Sequence, residues 1–104
     1  MAYKVIWSPT AVDDLIAIGE YIERDSVFNA RMVVSKFYDL SSRYGNHPRA
    51  GGIVSEIGSD LYRHRHVYGW RVIYRIDDIK AAVIIVAILH SRRQFVNIQG
   101  RFLE

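Results

Sequence analysis

The sequence contains no cysteine. That excludes disulfides, cysteine-ligated zinc, iron–sulfur clusters and thiol nucleophiles, and it fits a cytoplasmic setting. Proline is scarce, with only Pro9 and Pro48 to interrupt the chain. Long apolar runs are missing as well. The longest, Ala81–Leu89, is nine residues, far below the roughly 20 that a transmembrane helix needs, so no membrane association is expected. No basic-then-apolar segment ending in small residues precedes Trp7, and no signal peptide is expected. Internal repeats and low-complexity stretches are absent.

What is present is enough for one core. Half of the 104 residues are hydrophobic, and a chain of this size buries a sizeable core without disulfides or metal. A single domain over residues 1–104 follows, with 94–104 as a C-terminal tail. The net charge of +3 is unevenly placed. Residues 1–52 carry six Lys/Arg against six acids, whereas residues 53–104 carry eight against five. Seven of those eight cations are arginine, whose planar fork suits phosphates and carboxylates. The second half therefore favours an anionic partner, either nucleic acid or an acidic protein; an ordinary solvated basic face is the plain alternative.

The stretch from Leu61 to Arg93 reads as three successive strands: Leu61–Tyr68, Trp70–Ile76 and Ala81–His90. In the middle one, Trp70, Val72, Tyr74 and Ile76 fall on one face and Arg71, Ile73 and Arg75 on the other. The third is apolar at every position to Leu89, which suits a central strand covered on both faces. The first holds Arg63, His64, Arg65 and His66 without an acid, and its alternation sends at most half of them toward one ligand. Ahead of these, Tyr3–Trp7 is a short strand. Ser8-Pro9 then opens a helix, with Ser8 as N-cap and Pro9 where its missing N–H costs nothing. Apolar residues at 11, 15, 18 and 22 carry that helix to about Arg24, and the Asp13-Asp14 pair reads as its solvated start. Asp25-Ser26 is a break and a second N-cap. A second helix runs to Arg43 or Tyr44 and ends at Gly45-Asn46-His47-Pro48. Arg49–Asp60 is an irregular connector in which Glu56-Ile57 is a possible short strand. The order β-α-α-β-β-β predicts an α+β two-layer domain, an antiparallel sheet packed on a helical hairpin.

These motifs, taken together, resemble the RelE/ParE superfamily of small bacterial toxins over roughly Tyr3 to Arg93. The resemblance rests on Trp7-Ser8-Pro9 with Ala11, Asp14 and Leu15, then Ile18 and Tyr21-Ile22. It continues through Glu56-Ile57-Gly58, Leu61 and Arg63, Trp70-Arg71-Val72-Ile73-Tyr74-Arg75, and Ile88-Leu89-His90-Ser91-Arg92-Arg93. It implies the toxin of a type II toxin–antitoxin system, neutralised by an antitoxin that folds onto it. Superfamily members take one of two activities, ribosome-dependent mRNA cleavage (RelE-like) or poisoning of DNA gyrase (ParE-like). The Glu56-Ile57-Gly58 stretch and the Leu89-His90-x-Arg92-Arg93 ending are similar to ParE. A connector without lysine and a tail without Tyr or His depart from RelE.

The expected target-binding residues are then Arg63, Arg71, Arg75, His90, Arg92 and Arg93. The expected antitoxin contacts are Val12, Ile16, Val34 and Tyr38 beside the helical stripes, with Arg71. A RelE-like ribonuclease, acting at the ribosome on mRNA, is the alternative. It would need a base, cations and an acid converging on one phosphate, and His90, Arg71, Arg63, Arg65 and Glu56 (or His64) are the residues to supply them. Against this, His90 reads more readily as a strand-end histidine hydrogen-bonded to backbone, and Arg71 and Arg75 as structural partners of Glu56 or Asp77. Tyr62, Tyr68 and Tyr74 read as sheet packing, although tyrosine beside arginine also suits base stacking in an RNA site. His64 and His66 lack a third ligand nearby, so no metal is expected, nor any cofactor. A toxin-derived binding module without activity is the third reading.

Overall fold

The computed structural model describes residues 2–90, 95 and 100–102. The chain forms β1 (Lys4–Trp7), α1 (Pro9–Glu23) and α2 (Val27–Ser41), then two short 3-10 turns at Tyr44–Asn46 and Pro48–Ala50. Four strands follow: β2 (Gly52–Ile53), β3 (Tyr62–Val67), β4 (Trp70–Asp77) and β5 (Ala82–Leu89). They make one five-stranded sheet in the order β1-β5-β4-β3-β2. The last three pair antiparallel, as expected, and β2 adds antiparallel to β3, but β1 joins β5 in parallel, so the sheet is mixed.

Both helix starts are set by side chains. The Ser8 hydroxyl accepts from the Ala11 N–H at 3.1 Å with Pro9 next to it, and Ser26 accepts from Asn29 at 3.1 Å. Each bond satisfies an N–H that the helix itself leaves unpaired. The two helices pair as a hairpin, and a β-carbon at Gly19 would meet Val34 Cγ2 at 3.1 Å, so glycine lets them approach closely. The second helix stops at Ser41, earlier than its apolar spacing implied. Tyr44 keeps its place in the core from a 3-10 turn instead. At Gly45 a β-carbon would collide with the Tyr3 carbonyl, and the Gly45 carbonyl accepts from Tyr3 N–H at 2.8 Å. Only glycine permits that contact between the start of the sheet and the end of the hairpin.

The sheet separates two apolar clusters. On the helix side, Val72, Tyr74, Ile76, Val83, Ile85 and Ile88 pack with Ala11, Ile18 and Phe37. On the outer side, Val54, Ile73, Ala87 and Leu89 pack with Phe95, flanked by Tyr62 and Phe102. The all-apolar β5 is thus covered on both faces, between β1 and β4. Its pairing to β4 shifts between Ile73/Ala87 and Tyr74/Ile85, which leaves Val86 as an extra, bulged residue. Glu56-Ile57 is not a strand but part of a turn, where Ile57 and Gly58 N–H both bond to the Val54 carbonyl. The short strand before β3 is Gly52–Ile53 instead. Among the described residues no helix is long and apolar enough to cross a membrane.

Candidate functional site

Strand alternation decides which candidates meet. In the β3–β4 register Arg63 stands opposite Tyr74 and Arg65 opposite Val72, both in the helix-side core. His64 stands opposite Ile73 and His66 opposite Arg71, on the outer face. Arg63 and Arg65 therefore point to one side of the sheet while Arg71 points to the other. His90 follows β5 and sets its ring edge-on to Trp70 at 5.3 Å, and Trp70 belongs to the helix-side cluster. The set His90, Arg71, Arg63 and Arg65 does not converge.

What does converge is Arg71, Glu56 and His64. Arg71 is 7% exposed and forms a two-point ion pair with Glu56, Nη1 to Oε2 at 2.7 Å and Nη2 to Oε1 at 3.1 Å. Its Nε donates to His64 Nδ1 at 2.9 Å. A guanidinium Nε–H only donates, so Nδ1 must be bare and His64 neutral, with its proton on Nε2. The hydrogen bonds from Arg71 hold the Glu56 carboxyl down at about 2. Burial, then the Arg71 charge, push the His64 imidazole below its usual value. Three of the five Arg71 N–H groups are thus spent inside the chain. Glu56 is an ion-pair partner from a turn rather than from a neighbouring strand.

The remaining candidates have mostly local partners. Arg63 donates to three carbonyls, those of Asp60 at 2.7 Å, Arg49 at 3.0 Å and Gly51 at 3.1 Å, and so ties the connector to β3. Arg75 lies 3.8 Å from Asp77, two positions on along its own strand. Arg65 lies over the Tyr44 ring at 5.3 Å. Arg92 and Arg93 fall outside the described residues. Tyr74 is buried and donates to the Pro48 carbonyl at 2.7 Å, and Tyr62 meets Phe102 edge-on at 5.4 Å. Tyr68 is not sheet packing: it is 61% exposed at the β3–β4 turn, with φ of 54°. The His64 and His66 rings lie 5.2 Å apart and tilted by 56°, and among the described residues no group of three or more His/Cys/Asp/Glu could hold a metal ion.

The helical hairpin presents an apolar surface to solvent. Ile16 is 53% exposed and Tyr38 is 64% exposed, with Val12 also exposed and Val34 half-buried between the helices. Two shallow grooves share Leu15, Val34 and Ser35; one runs on to Tyr38 and Tyr68, the other to Glu20 and Glu23. Arg71, grouped with these residues from the sequence, lies on the far face of the sheet.

Sequence reasoning missed one contact altogether. Asp14 is no solvated helix start: its Oδ2 accepts the Ile88 backbone N–H at 3.0 Å. Arg101 grips the same carboxylate at 2.9 and 3.2 Å and donates to the Val86 carbonyl at 3.2 Å. Two side chains thus satisfy backbone groups of β5 at and after the Val86 bulge, past the point where β1 stops pairing. No local signal announces a bulge within a uniformly apolar strand.

With this geometry in place, comparison with known proteins decides the family. Residues 5–95 match the family model described as "ParE toxin of type II toxin-antitoxin system, parDE". The chain belongs to the ParE toxin family. No curated protein sequence matches it. Among solved structures, the ParE chain here is similar to the chromosomal ParDE system from P. aeruginosa, with a TM-score of 0.72 at 17% identity, covering 85% of this chain and 95% of that one. It is similar to the RelBE2 toxin–antitoxin complex from Mycobacterium tuberculosis, with a TM-score of 0.63 at 20% identity, covering 88% and 100%. The intact E. coli RelBE complex gives a TM-score of 0.58 at 17% identity, covering 88% and 100%. These likenesses speak for the fold. Two helices on a five-stranded mixed sheet is the architecture that this ParE chain shares with RelE and ParE structures.

Proposed function

We propose that this ParE-family toxin acts by binding DNA gyrase and blocking replication, and that an antitoxin segment laid along the α1–α2 hairpin restrains it. The observation that carries the gyrase reading is the internal commitment of Arg71. A metal-independent ribonuclease needs free cations, a base and an acid around one phosphate. Here the buried cation is neutralised by Glu56 and shared with His64, while Arg63, Arg65 and His90 point elsewhere. The charge excess of the second half then serves recognition rather than chemistry. The exposed Ile16, Tyr38 and Val12 support an apolar partner on the hairpin, and the similarity to toxins held in toxin–antitoxin complexes supports an antitoxin as that partner.

One observation favours a second reading, RelE-like cleavage of mRNA on the ribosome. Glu56, Arg71 and the neutral His64 do gather a carboxylate, a cation and an imidazole within hydrogen-bond reach. A single experiment separates the two. The toxin is expressed without antitoxin in a bacterial host, and DNA, RNA and protein synthesis are followed by pulse labelling. An early halt in DNA synthesis with filamentous cells, together with inhibition of purified gyrase in a supercoiling assay, is the expected result. An immediate halt in translation with mRNA cut within codons would replace the gyrase reading with the nuclease one.

A further inference from the structure

Among the described residues, Arg65 stands apart from the other arginines of the sheet. Arg71 is paired with Glu56, Arg75 lies beside Asp77, and Arg63 is occupied by three carbonyls. Arg65 has neither an acid nor a carbonyl within hydrogen-bond reach, and its Nε is shut off from solvent without an acceptor. Yet it is firmly placed. Its guanidinium lies over Tyr44 at 5.3 Å, Tyr44 packs on Tyr74 at 5.1 Å, and Tyr74 is fully buried and bonded to the Pro48 carbonyl. The arginine therefore rests on a two-ring stack anchored in the core, and its side chain is half-buried rather than free to sweep through solvent. A cation held this way has already lost much of its rotamer freedom, so less is left to lose on binding.

We infer that Arg65 is a prepared receptor for one carboxylate of the antitoxin, with its terminal nitrogens forming the two-point fork. Carboxylate is favoured over a nucleic-acid backbone by the number of cations on offer. A nucleic-acid footprint draws its affinity from several phosphate contacts made together. The cations next to Arg65 on β3 and in the connector are already used, since Arg63 holds carbonyls and Arg49 grips Asp78 at 2.7 and 3.2 Å, which leaves Lys36 in the adjoining groove as a single further charge rather than a row of them. One fork matches one acid in a protein interface, where arginine is enriched among the residues that carry binding energy. The position fits as well. Arg65 shares the helix-facing side of β3 with Val67, next to Tyr68, and Tyr68 lines the groove that runs along Met32, Val34 and Tyr38. A segment that fills this groove with apolar side chains passes the β3–β4 turn and brings an acid to Arg65.

This inference rests on the antitoxin reading above, and the test keeps the two apart. The purified toxin and its cognate antitoxin are titrated against each other, using wild type, Arg65→Met and Arg65→Lys. Methionine keeps length and packing on Tyr44 but removes charge and fork. Thermal unfolding of each free toxin checks that the fold persists. The expected result is a loss of affinity of at least tenfold for Arg65→Met, a smaller loss for Arg65→Lys, and recovery of binding by Arg65→Glu with one antitoxin acid changed to Lys. Affinity within twofold of wild type for Arg65→Met overturns the inference while leaving the antitoxin reading intact. Failure of the wild-type pair to bind overturns both. Arg65→Met releasing a single-stranded RNA 20-mer while antitoxin affinity stays unchanged would assign the fork to phosphate and also overturn it.

Discussion

The Asp14 carboxylate, from the second turn of α1, accepts the backbone N–H of Ile88 in β5 at 3.0 Å. Trp7 is the last residue of β1 to pair with β5, so this N–H lies beyond the ladder. A helix side chain takes the place that a strand would occupy. Replacing Asp14 by Ala should leave the Ile88 N–H without its acceptor and the Arg101 guanidinium with only the Val86 carbonyl. Such a loss costs about 1–3 kcal/mol per orphaned group, and the expected destabilisation is about 2–3 kcal/mol by urea unfolding. Arg101→Ala should cost less, because solvent reaches that side more readily. In the double variant the two effects should fall short of their sum, since both residues act on one carboxylate. Full additivity would show that the bond and the ion pair work independently.

Arg71→Ala tests whether the outer-face cluster is structural. A surface arginine used only for target binding would be removed with little effect on stability. Here the guanidinium is buried and its removal strands Glu56 and the His64 Nδ1 acceptor. Breaking a buried pair from one side costs about 3–5 kcal/mol. Glu56 is partly exposed, so about 2–3 kcal/mol is the expected loss for Arg71→Ala. A change below about 0.5 kcal/mol, the range of ordinary surface substitutions, would return Arg71 to the list of free recognition residues.

The same cluster fixes a pH dependence. His64 is depressed in the folded state, so the unfolded chain binds its proton first as pH falls. Its contribution is fully present above the unfolded imidazole value near ~6.5 and is lost progressively below it. Glu56 is depressed to about 2, so its contribution is present above the unfolded carboxyl value near ~4.3 and is lost as pH falls from there toward the folded value. Stability should therefore decline in two stages on acidification. His64→Asn keeps an acceptor near Nδ1 without a titrating ring, and should flatten the upper stage while preserving the lower one. An unchanged upper stage in His64→Asn would assign it to another histidine.

How much of this was legible in the sequence follows from what each feature depends on. The helix starts were legible because Ser8-Pro9 and Ser26 act within one turn. The central place of β5 was legible because a strand covered on both faces has no polar alternation. The facing of Arg63, His64, Arg65 and His66 followed from period two alone. Partners set by long-range register were not legible. Asp14 meets Ile88 only because β5 bulges at Val86, and Arg101 arrives from the far end of the chain. Glu56 reaches Arg71 from a turn whose path depends on where β2 pairs. Gly52–Ile53 was hidden because two residues carry no period.

Ile16 and Tyr38 give the last prediction. Both are more than half exposed on the hairpin, and neither belongs to the buried clusters. Ile16→Asp should change stability by no more than about 0.5 kcal/mol, as for surface positions away from caps and core, and Tyr38→Asp by up to about 1 kcal/mol, because Tyr38 lies in the last turn of α2, where the helix dipole disfavours an acid. Under the proposed antitoxin track, each also places an uncompensated charge in an apolar contact, so toxin–antitoxin affinity should fall by at least tenfold. Toxicity of the free protein should persist, and cells carrying the antitoxin should no longer be protected from these variants. Phe37→Ala is the contrasting control. Phe37 is fully buried and meets Trp70 edge-on at 5.8 Å, so its truncation should cost about 3–5 kcal/mol and abolish toxicity and antitoxin binding together. If Ile16→Asp behaved like Phe37→Ala, the hairpin surface would be part of the fold rather than a place for a partner.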